Sequence, residues 1–144
     1  MRLLIVLVLA LGASVCRADE AADAAAMQVL DEFMLAFNAR DMAAWAATLQ
    51  YPHVRFASAS VSVYEDASAF GDRDVFRMLA DTGWDHSHWL TREVVLSSPE
   101  KVHINTTFQR FNAANEPIGT YESLYIVTRV DGRWGIQARS SLAP

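Results

Sequence analysis

The chain has 144 residues, of which 52% are hydrophobic and 20% are charged, and its formal net charge is −5. This length fits one domain, and the apolar and aromatic content is too high for a disordered segment. The acidic balance and the scattered arginines argue against a nucleic-acid-binding surface.

The first 18 residues have the layout of a secretory signal peptide. Arg2 precedes an apolar run over residues 3–13, and a cleavage site with small residues at Cys16 and Ala18 follows. The run is shorter than the roughly 20 apolar residues that a membrane-spanning helix needs, and no later segment approaches that length. We predict cleavage near Ala18 and a secreted or periplasmic protein without a membrane span. A lipoprotein acylated at Cys16 is the alternative, which the bulky Val15 disfavours.

Cleavage at this position changes the charge and the cysteine content of the working molecule. It removes Arg2 and Arg17 but no acidic residue, so the net charge becomes −7 over 126 residues. It also removes Cys16, the only cysteine, which leaves no disulfide and no thiolate metal ligand. We predict that residues 19–144 form a single domain stabilised by its hydrophobic core.

Helical periodicity dominates the first part of this domain. Apolar residues recur at helical spacing from Met27 to Phe37. Asp41 can cap a second helix that reaches Leu49, and Pro52 follows as a stop signal. A third helical pattern covers residues 66–79, although Gly71 weakens its middle.

Strand patterns account for most of the remaining chain. They cover residues 53–57, 61–64, 89–96, 101–111, 118–130 and 134–139. Asp131-Gly132 is a strong two-residue turn signal, and a polar loop over residues 112–117 makes the other long hairpin connection. Helices followed by long antiparallel strands predict an α+β fold, in which the helices cover one face of a strongly curved sheet and leave a pocket there.

Alternation along the strands assigns their side chains to faces. Tyr121, Ser123 and Tyr125 share one face, and we expect Tyr125 to pack across strands with its hydroxyl at the solvent. On the last strand, strict alternation places Ile136 and Arg139 on opposite faces.

Two segments resemble the NTF2-like superfamily, which includes SnoaL-like and ketosteroid-isomerase-like proteins. Residues 33–45 resemble its first helix, its polar corner with an aspartate, and its second helix. Residues 121–136 resemble its last hairpin with an Asp-Gly-Arg-Trp turn. The resemblance implies a cone in which N-terminal helices pack on a strongly curved antiparallel sheet and enclose a pocket. Members range from isomerases and dehydratases to non-catalytic binding domains, so the fold does not fix the function.

The steroid isomerases of this superfamily use a tyrosine on the first helix and an aspartate on the first strand. Aligned without gaps from the polar corner, these positions read Phe33 and Ala57 in this chain, and no acidic residue occurs from Gln50 to Tyr64. Proton transfer needs a titratable group within hydrogen-bond reach, so the isomerase mechanism does not carry over.

His53 is the leading polar candidate for a pocket residue. Its imidazole could act as an acid or base near neutral pH, and Arg55 lies on the same strand face. Together they could hold an anionic or carbonyl-bearing ligand. The alternatives are a surface or hydrogen-bonded structural histidine and an ion pair between Arg55 and an acid such as Glu65.

The stretch over residues 84–89, Trp-Asp-His-Ser-His-Trp, is unusual. If it is extended, Trp84, His86 and His88 share one face, and we expect an aromatic and histidine rim at the pocket mouth. Two imidazoles without an adjacent third ligand do not make a metal site, and we predict neither a metal nor a cofactor.

The sequence therefore predicts an exported domain that binds a small apolar or carbonyl-bearing molecule in its cone and forms a homodimer through its sheet. The residues predicted to bind this molecule are Trp45, His53, Arg55, Trp84, His88 and Tyr121. One alternative is a lyase or isomerase that uses His53 or His86 as its acid or base. The other is a homodimeric interaction or assembly domain of the cell envelope.

Overall fold

The computed structural model describes the backbone of residues 12–143 and the side chains of residues 20–143. The predicted signal peptide lies mostly outside the described residues, so its cleavage, the export of the chain and the alternative acylation of Cys16 stay predictions. Within the described range, no helix combines the length and the apolar character that crossing a membrane requires.

In residues 12–143, four helices accompany the sheet. Their bounds are Gly12–Asn38 for α1, Met42–Ala47 for α2, Ala67–Gly71 for α3 and Val75–Ala80 for α4. The single helix predicted over residues 66–79 is therefore wrong, because the chain leaves the helix after Gly71. Arg73 lies in this break and donates a hydrogen bond from its Nε to the carbonyl of Phe70 at 3.1 Å. That carbonyl would accept the amide of residue 74 in a continuous helix.

Six strands form one sheet in the order β2-β1-β6-β5-β4-β3, which is curved and does not close into a barrel. The strands are Leu49–Phe56 (β1), Val61–Tyr64 (β2), His86–Ser98 (β3), Lys101–Phe111 (β4), Pro117–Val130 (β5) and Arg133–Ser141 (β6). The predicted α+β class is confirmed. The sheet is not purely antiparallel, because β1 pairs with β6 in parallel.

The start of β1 also differs from the prediction. The second helix was expected to reach Leu49, but α2 ends at Ala47 and Leu49 already belongs to β1. The Thr48 hydroxyl donates to the carbonyl of Trp45 at 2.7 Å, which satisfies a backbone acceptor at the end of the helix. Pro52 lies inside the strand and not at the end of a helix.

The helix α1 lies across the concave face of the sheet and builds the core there. Its residues Ala26 and Leu30 are fully buried against Ile104, Val127 and Ile136. The last turns of α1 carry larger aromatic side chains, and Phe33 contacts both Trp45 on α2 and Tyr125 on β5 with ring centroids 5.4 and 5.6 Å apart.

A β-bulge in β6 changes which side chains face the core. Val127 pairs with Ile136, but Ile126 pairs with Ala138, so β6 has one residue more than β5 between these pairs. An extra residue reverses the alternation beyond it. Ile136 and Arg139 therefore both face the concave side, and the prediction that they lie on opposite faces is wrong.

The N-terminal cap of α2 is predicted to contribute to stability. The Asp41 carboxylate accepts a hydrogen bond from the amide of Ala44 at 2.9 Å, which confirms the cap. We expect Asp41→Ala to lower the free energy of unfolding by about 1 kcal/mol, whereas Asp41→Asn, which keeps the acceptor, stays close to the parent. Urea unfolding of the three proteins measures this difference. Equal losses in both variants would contradict the assignment.

Candidate functional site

A cavity of about 330 Å³ lies between the concave face of the sheet and the helices. Its walls are mostly apolar, and they are formed by Phe33, Met34, Phe37, Trp45, Val75, Met78, Leu79, Phe108 and Ala143. The remaining lining residues are Arg55, Arg73, Arg110, Arg139, Thr82, Ser87 and Tyr125. Among the described residues, no aspartate or glutamate lines the cavity.

The four arginines reach the cavity from four different elements. Arg55 lies on β1, Arg110 on β4 and Arg139 on β6, while Arg73 comes from the break between α3 and α4. Arg55 and Arg139 are direct neighbours in the pairing of β1 with β6. Like charges directly opposite each other in a sheet repel, so the fold places these side chains together against their electrostatic preference.

Among the described residues, none of these four guanidinium groups has an anionic partner. In the part of the chain that the structure describes, the ion pairs involve other arginines, namely Arg40, Arg77 and Arg92. The alternative ion pair of Arg55 with Glu65 is not formed. Buried nitrogen atoms without a hydrogen-bond acceptor among the described residues occur on all four cavity arginines: the Nε atoms of Arg55, Arg110 and Arg139, and one Nη atom of Arg73.

Burial and mutual repulsion both act on these charges. Burial lowers the pKa of Arg55, Arg73 and Arg110, and repulsion from Arg139 lowers each of them further. A guanidinium nevertheless stays protonated in a protein. The cavity therefore combines low polarity with a positive charge from four guanidinium groups.

Aromatic rings next to the arginines offset part of the energetic cost of burying the guanidinium charges. The guanidinium carbon of Arg73 lies 4.1 Å from the ring centroid of Phe70 and 4.8 Å from that of Tyr64. Arg110 lies 4.8 Å from the ring of Tyr121. Such cation–π contacts hold the planar groups in place, but they do not supply the acceptors that the N–H donors need.

Tyr125 is buried beside Arg139, which the β6 bulge turns towards it. Its side chain is only 1% exposed, and its hydroxyl oxygen accepts a long hydrogen bond of 3.5 Å from Arg139. The prediction that this hydroxyl reaches solvent is wrong, because Phe33 and Trp89 cover the ring and the bulge turns Arg139 towards it. Burial raises the pKa of Tyr125, so the neutral hydroxyl keeps a proton that it can donate.

Tyr121 lies beside the cavity and packs on two of its lining residues, Phe108 and Arg110. The position of its ring depends on Gly119, where an added Cβ would lie 2.4 Å from the Tyr121 hydroxyl. Glycine at this position therefore lets the tyrosine fold back beside Arg110, which pairs with Gly119 across the two strands.

His53 lies next to the cavity but is not one of its lining residues. It is 3% exposed, and its Nδ1 lies 3.0 Å from the carbonyl oxygen of Ile136. Because a carbonyl only accepts, Nδ1 carries a proton. Burial lowers the pKa of His53 to about 4, and nearby arginines including Arg139 add to this effect. The geometry matches the alternative of a hydrogen-bonded structural histidine.

The histidines of residues 84–89 point away from the cavity. Ser87 is fully buried and lines the cavity, so the neighbouring side chains of His86 and His88 face the convex side, where both rings contact Phe111. Trp84 instead packs on Phe37 in the core and donates a hydrogen bond to Ser87 at 2.9 Å. The expectation that Trp84, His86 and His88 share one face is wrong, because β3 begins only at His86.

Of the residues predicted to bind a ligand, the structure brings Trp45 and Arg55 to the cavity wall and Tyr121 next to it. Across residues 20–143, no group of three or more histidine, cysteine or acidic side chains is arranged to hold a metal ion. Three of the cavity arginines, Arg73, Arg110 and Arg139, were not predicted as site residues. Arg110 continues the buried alternation of Ile104, Thr106 and Phe108 along β4, a signal that could have identified it.

Several solved structures superpose on this chain over most of its length. One from Novosphingobium aromaticivorans, described as an NTF2-like protein with a cystatin-like fold, gives a TM-score of 0.72 at 11% identity, covering 94% of this chain and 89% of its own. A protein of unknown function from Nostoc punctiforme gives 0.69 at 12% identity, covering 85% and 90% of the two chains. A ketosteroid isomerase-like protein from Erwinia carotovora gives 0.62 at 20% identity, covering 84% and 96%. These likenesses establish the fold class.

The sequence itself places the chain within this class. The model of the family described as NTF2-like protein (DUF6841) matches residues 20–143, which is nearly the whole described chain. The protein therefore belongs to this NTF2-like family, and the predicted resemblance is confirmed. No curated protein matches the sequence.

The depressed pKa of His53 predicts a specific pH dependence of stability. The folded-state value of about 4 lies below the ordinary value of about 6.5, so the folded protein binds fewer protons than the unfolded chain between these values. Stability that is present above pH 6.5 is therefore lost as the pH falls towards 4. We expect His53 to account for a loss of about 2 kcal/mol between pH 7 and pH 5.

Urea unfolding at both pH values measures this contribution. In His53→Gln, whose amide can still donate to the Ile136 carbonyl, the loss between pH 7 and pH 5 should be smaller than in the parent by about 2 kcal/mol. His103→Gln, on the convex face, serves as the control and should behave like the parent. Identical pH dependence in His53→Gln and the parent would contradict the assignment.

The repulsion among the cavity arginines predicts a stabilising substitution. Arg55 makes no ion pair with any described residue, and replacing a poorly compensated buried charge with an apolar side chain is often favourable. We expect Arg55→Leu to raise the free energy of unfolding by about 1 kcal/mol. The exposed Arg129, replaced in the same way, should change it by no more than about 0.5 kcal/mol. A clear loss of stability in Arg55→Leu would reveal a favourable partner for Arg55.

Proposed function

We propose that this protein binds a small organic anion with an apolar body in its cone-shaped cavity. Four arginines line this cavity and no described carboxylate does, and this observation carries the proposal. Buried charges are normally paired, because removing one partner of a buried pair costs several kcal/mol. An anionic ligand supplies the missing charge and the missing acceptors together.

The shape and the lining of the cavity define the rest of the ligand. A volume of about 330 Å³ suits a small molecule, and the aromatic side chains of Phe33, Phe37, Trp45 and Phe108 offer flat apolar surfaces. Aromatic rings in such contacts favour offset or edge-to-face packing against a planar ligand. The ligand is therefore an acid with an aromatic or similarly compact apolar body. This proposal narrows the sequence-based prediction of an apolar or carbonyl-bearing molecule.

The geometry favours binding over acid–base catalysis. The Nδ1 proton of His53 is committed to a backbone carbonyl, and neither His53 nor His86 is a lining residue. The likeness to a ketosteroid isomerase-like protein concerns the fold alone. A lyase or isomerase activity, export across a membrane, pairing of two copies through the sheet and an assembly role in the cell envelope stay predictions of the sequence.

Binding of benzoate compared with benzamide tests this proposal. The two molecules have nearly the same shape, but only benzoate is charged, so we expect calorimetry to detect benzoate and to find benzamide at least tenfold weaker. Arg139→Gln should weaken benzoate binding about tenfold or more, because a charge-assisted hydrogen bond contributes about 1.5–3 kcal/mol.

The exposed Arg129 provides the matched control. Arg129→Gln removes the same charge from the protein but lies outside the cavity, so it should leave benzoate affinity within about twofold of the parent. Equal binding of benzoate and benzamide would contradict the role of the arginines. Equal weakening by Arg129→Gln and Arg139→Gln would place the anion outside the cavity.

A further inference from the structure

We infer that the ligand carries at least two negative charges, as in a dicarboxylate or a phosphate monoester. This inference rests on the proposed function and deepens it, because it concerns the charge of the ligand at the same site. It follows from the number of cavity arginines, from their arrangement on the sheet and from the Tyr125 hydroxyl beside Arg139.

The number of positive charges exceeds what one carboxylate can neutralise. Arg55, Arg73, Arg110 and Arg139 all line the same cavity, and a monoanion would leave the equivalent of three guanidinium charges uncompensated. One carboxylate also offers about four acceptor sites, whereas each guanidinium brings up to five donors. A second anionic group, or a phosphate with three terminal oxygens, satisfies more of these donors.

Three of the four cavity arginines are anchored on the sheet, at two separate places. One group comprises Arg55 and Arg139, which pair across β1 and β6, and Tyr125, which pairs with Arg139 across β6 and β5. The other comprises Arg110 with Tyr121, anchored where Arg110 pairs with Gly119.

The β5 residues that pair with the two groups lie far apart along the strand, although the arginine side chains of both groups reach the same cavity. Gly119 and Tyr125 are six positions apart, or about 20 Å of extended strand. Yet Arg110 and Arg139 line one cavity, and repulsion from Arg139 contributes to the lowered pKa of Arg110. The fold thus brings positive charge into the cavity from two groups of residues. This arrangement suits a ligand with two anionic groups, one for each group of residues, or a ligand with one doubly charged group that contacts both.

Each of the two groups also includes a tyrosine hydroxyl. The Tyr125 hydroxyl accepts from Arg139, so its own proton is available to an acceptor in the cavity. The Tyr121 ring is held beside Arg110 because Gly119 leaves room for its hydroxyl. Arg139 and the Tyr125 hydroxyl, which both line the cavity, are therefore a suitable pair of donors for a carboxylate or phosphate oxygen.

A comparison of benzoate, terephthalate and phenyl phosphate at one ionic strength tests this inference. All three have a single aromatic ring, and the last two are dianions at pH 8. We expect at least one dianion to bind tenfold or more tightly than benzoate, and its affinity to fall more steeply with added salt. Tighter binding of terephthalate alone indicates two separated subsites, and tighter binding of phenyl phosphate alone indicates one doubly charged group; either result supports the inference.

Substitutions at Arg110 and Gly119 test whether the group of Arg110 and Tyr121 causes the preference for a dianion. Arg110→Gln should reduce the ratio of dianion affinity to benzoate affinity at least fivefold, while Arg110→Lys retains part of this ratio. Gly119→Ala, which displaces Tyr121 without changing any charge, should change the ratio in the same direction. Arg129→Gln is the control and should leave the ratio unchanged.

Failure of the dianion inference and failure of the proposed anion binding give different results in these measurements. If benzoate binds in the cavity as tightly as both dianions, the inferred charge is wrong while the proposed function stands. If none of the three molecules binds, or if Arg139→Gln weakens none of them, the proposed function itself fails. A dianion preference that Arg110→Gln and Arg129→Gln reduce equally reflects the overall charge of the protein and also overturns the inference.

Discussion

The contact between the first helix and the centre of the sheet determines both the core and the cavity. Ala26 and Leu30 of α1 fill the concave face with small and branched side chains, and the sheet is tightly covered there. One turn further on, Phe33 places its ring against Tyr125 and Trp45. These aromatic side chains keep α1, α2 and the sheet together while leaving space at the end of the helix. The cavity is therefore a consequence of where the large residues of α1 begin.

The positive charge of the four cavity arginines opposes folding, but it also prepares the cavity to bind an anion. Arginine is suited to this role, because its stacked guanidinium tolerates partial burial better than an ammonium group and cannot lose its charge. The rings of Phe70, Tyr64 and Tyr121 hold Arg73 and Arg110 in position before any ligand is present. Preorganised donors gain affinity because less freedom is lost on binding. A stability cost at a functional site is a common trade-off in proteins.

Local sequence signals predicted the framework of this fold. The structure confirms two of these predictions, the helix cap at Asp41 and the turn at Asp131-Gly132. Both residues of this turn have positive φ. The buried alternation of β4 is also confirmed, and β4 runs over the predicted residues 101–111. These features depend on hydrogen bonds and side-chain periods within a few residues, which is why one sequence suffices to predict them.

The site was predicted only in part, because it depends on departures from regular structure. Arg55 and Trp45 were identified, but Arg139 faces the cavity only through the bulge in β6, and Arg73 reaches it only because the helix breaks after Gly71. His53 appeared to be the reactive group because its residue type suggested acid–base chemistry. Its burial beneath Tyr64 and Phe70 and its bond to Ile136 are long-range contacts that a strand pattern does not reveal.

Four guanidinium groups from separate elements meet in one cavity, and we propose that they bind an anion together. Correlation spectra of the arginine Nε–H groups, recorded during a titration with phenyl phosphate, show whether the four groups act as one site. We expect the signals of Arg55, Arg73, Arg110 and Arg139 to shift with a single dissociation constant, while that of Arg129 does not move. Shifts confined to exposed arginines, or different dissociation constants for the four cavity signals, would mean that the four groups do not form one anion site.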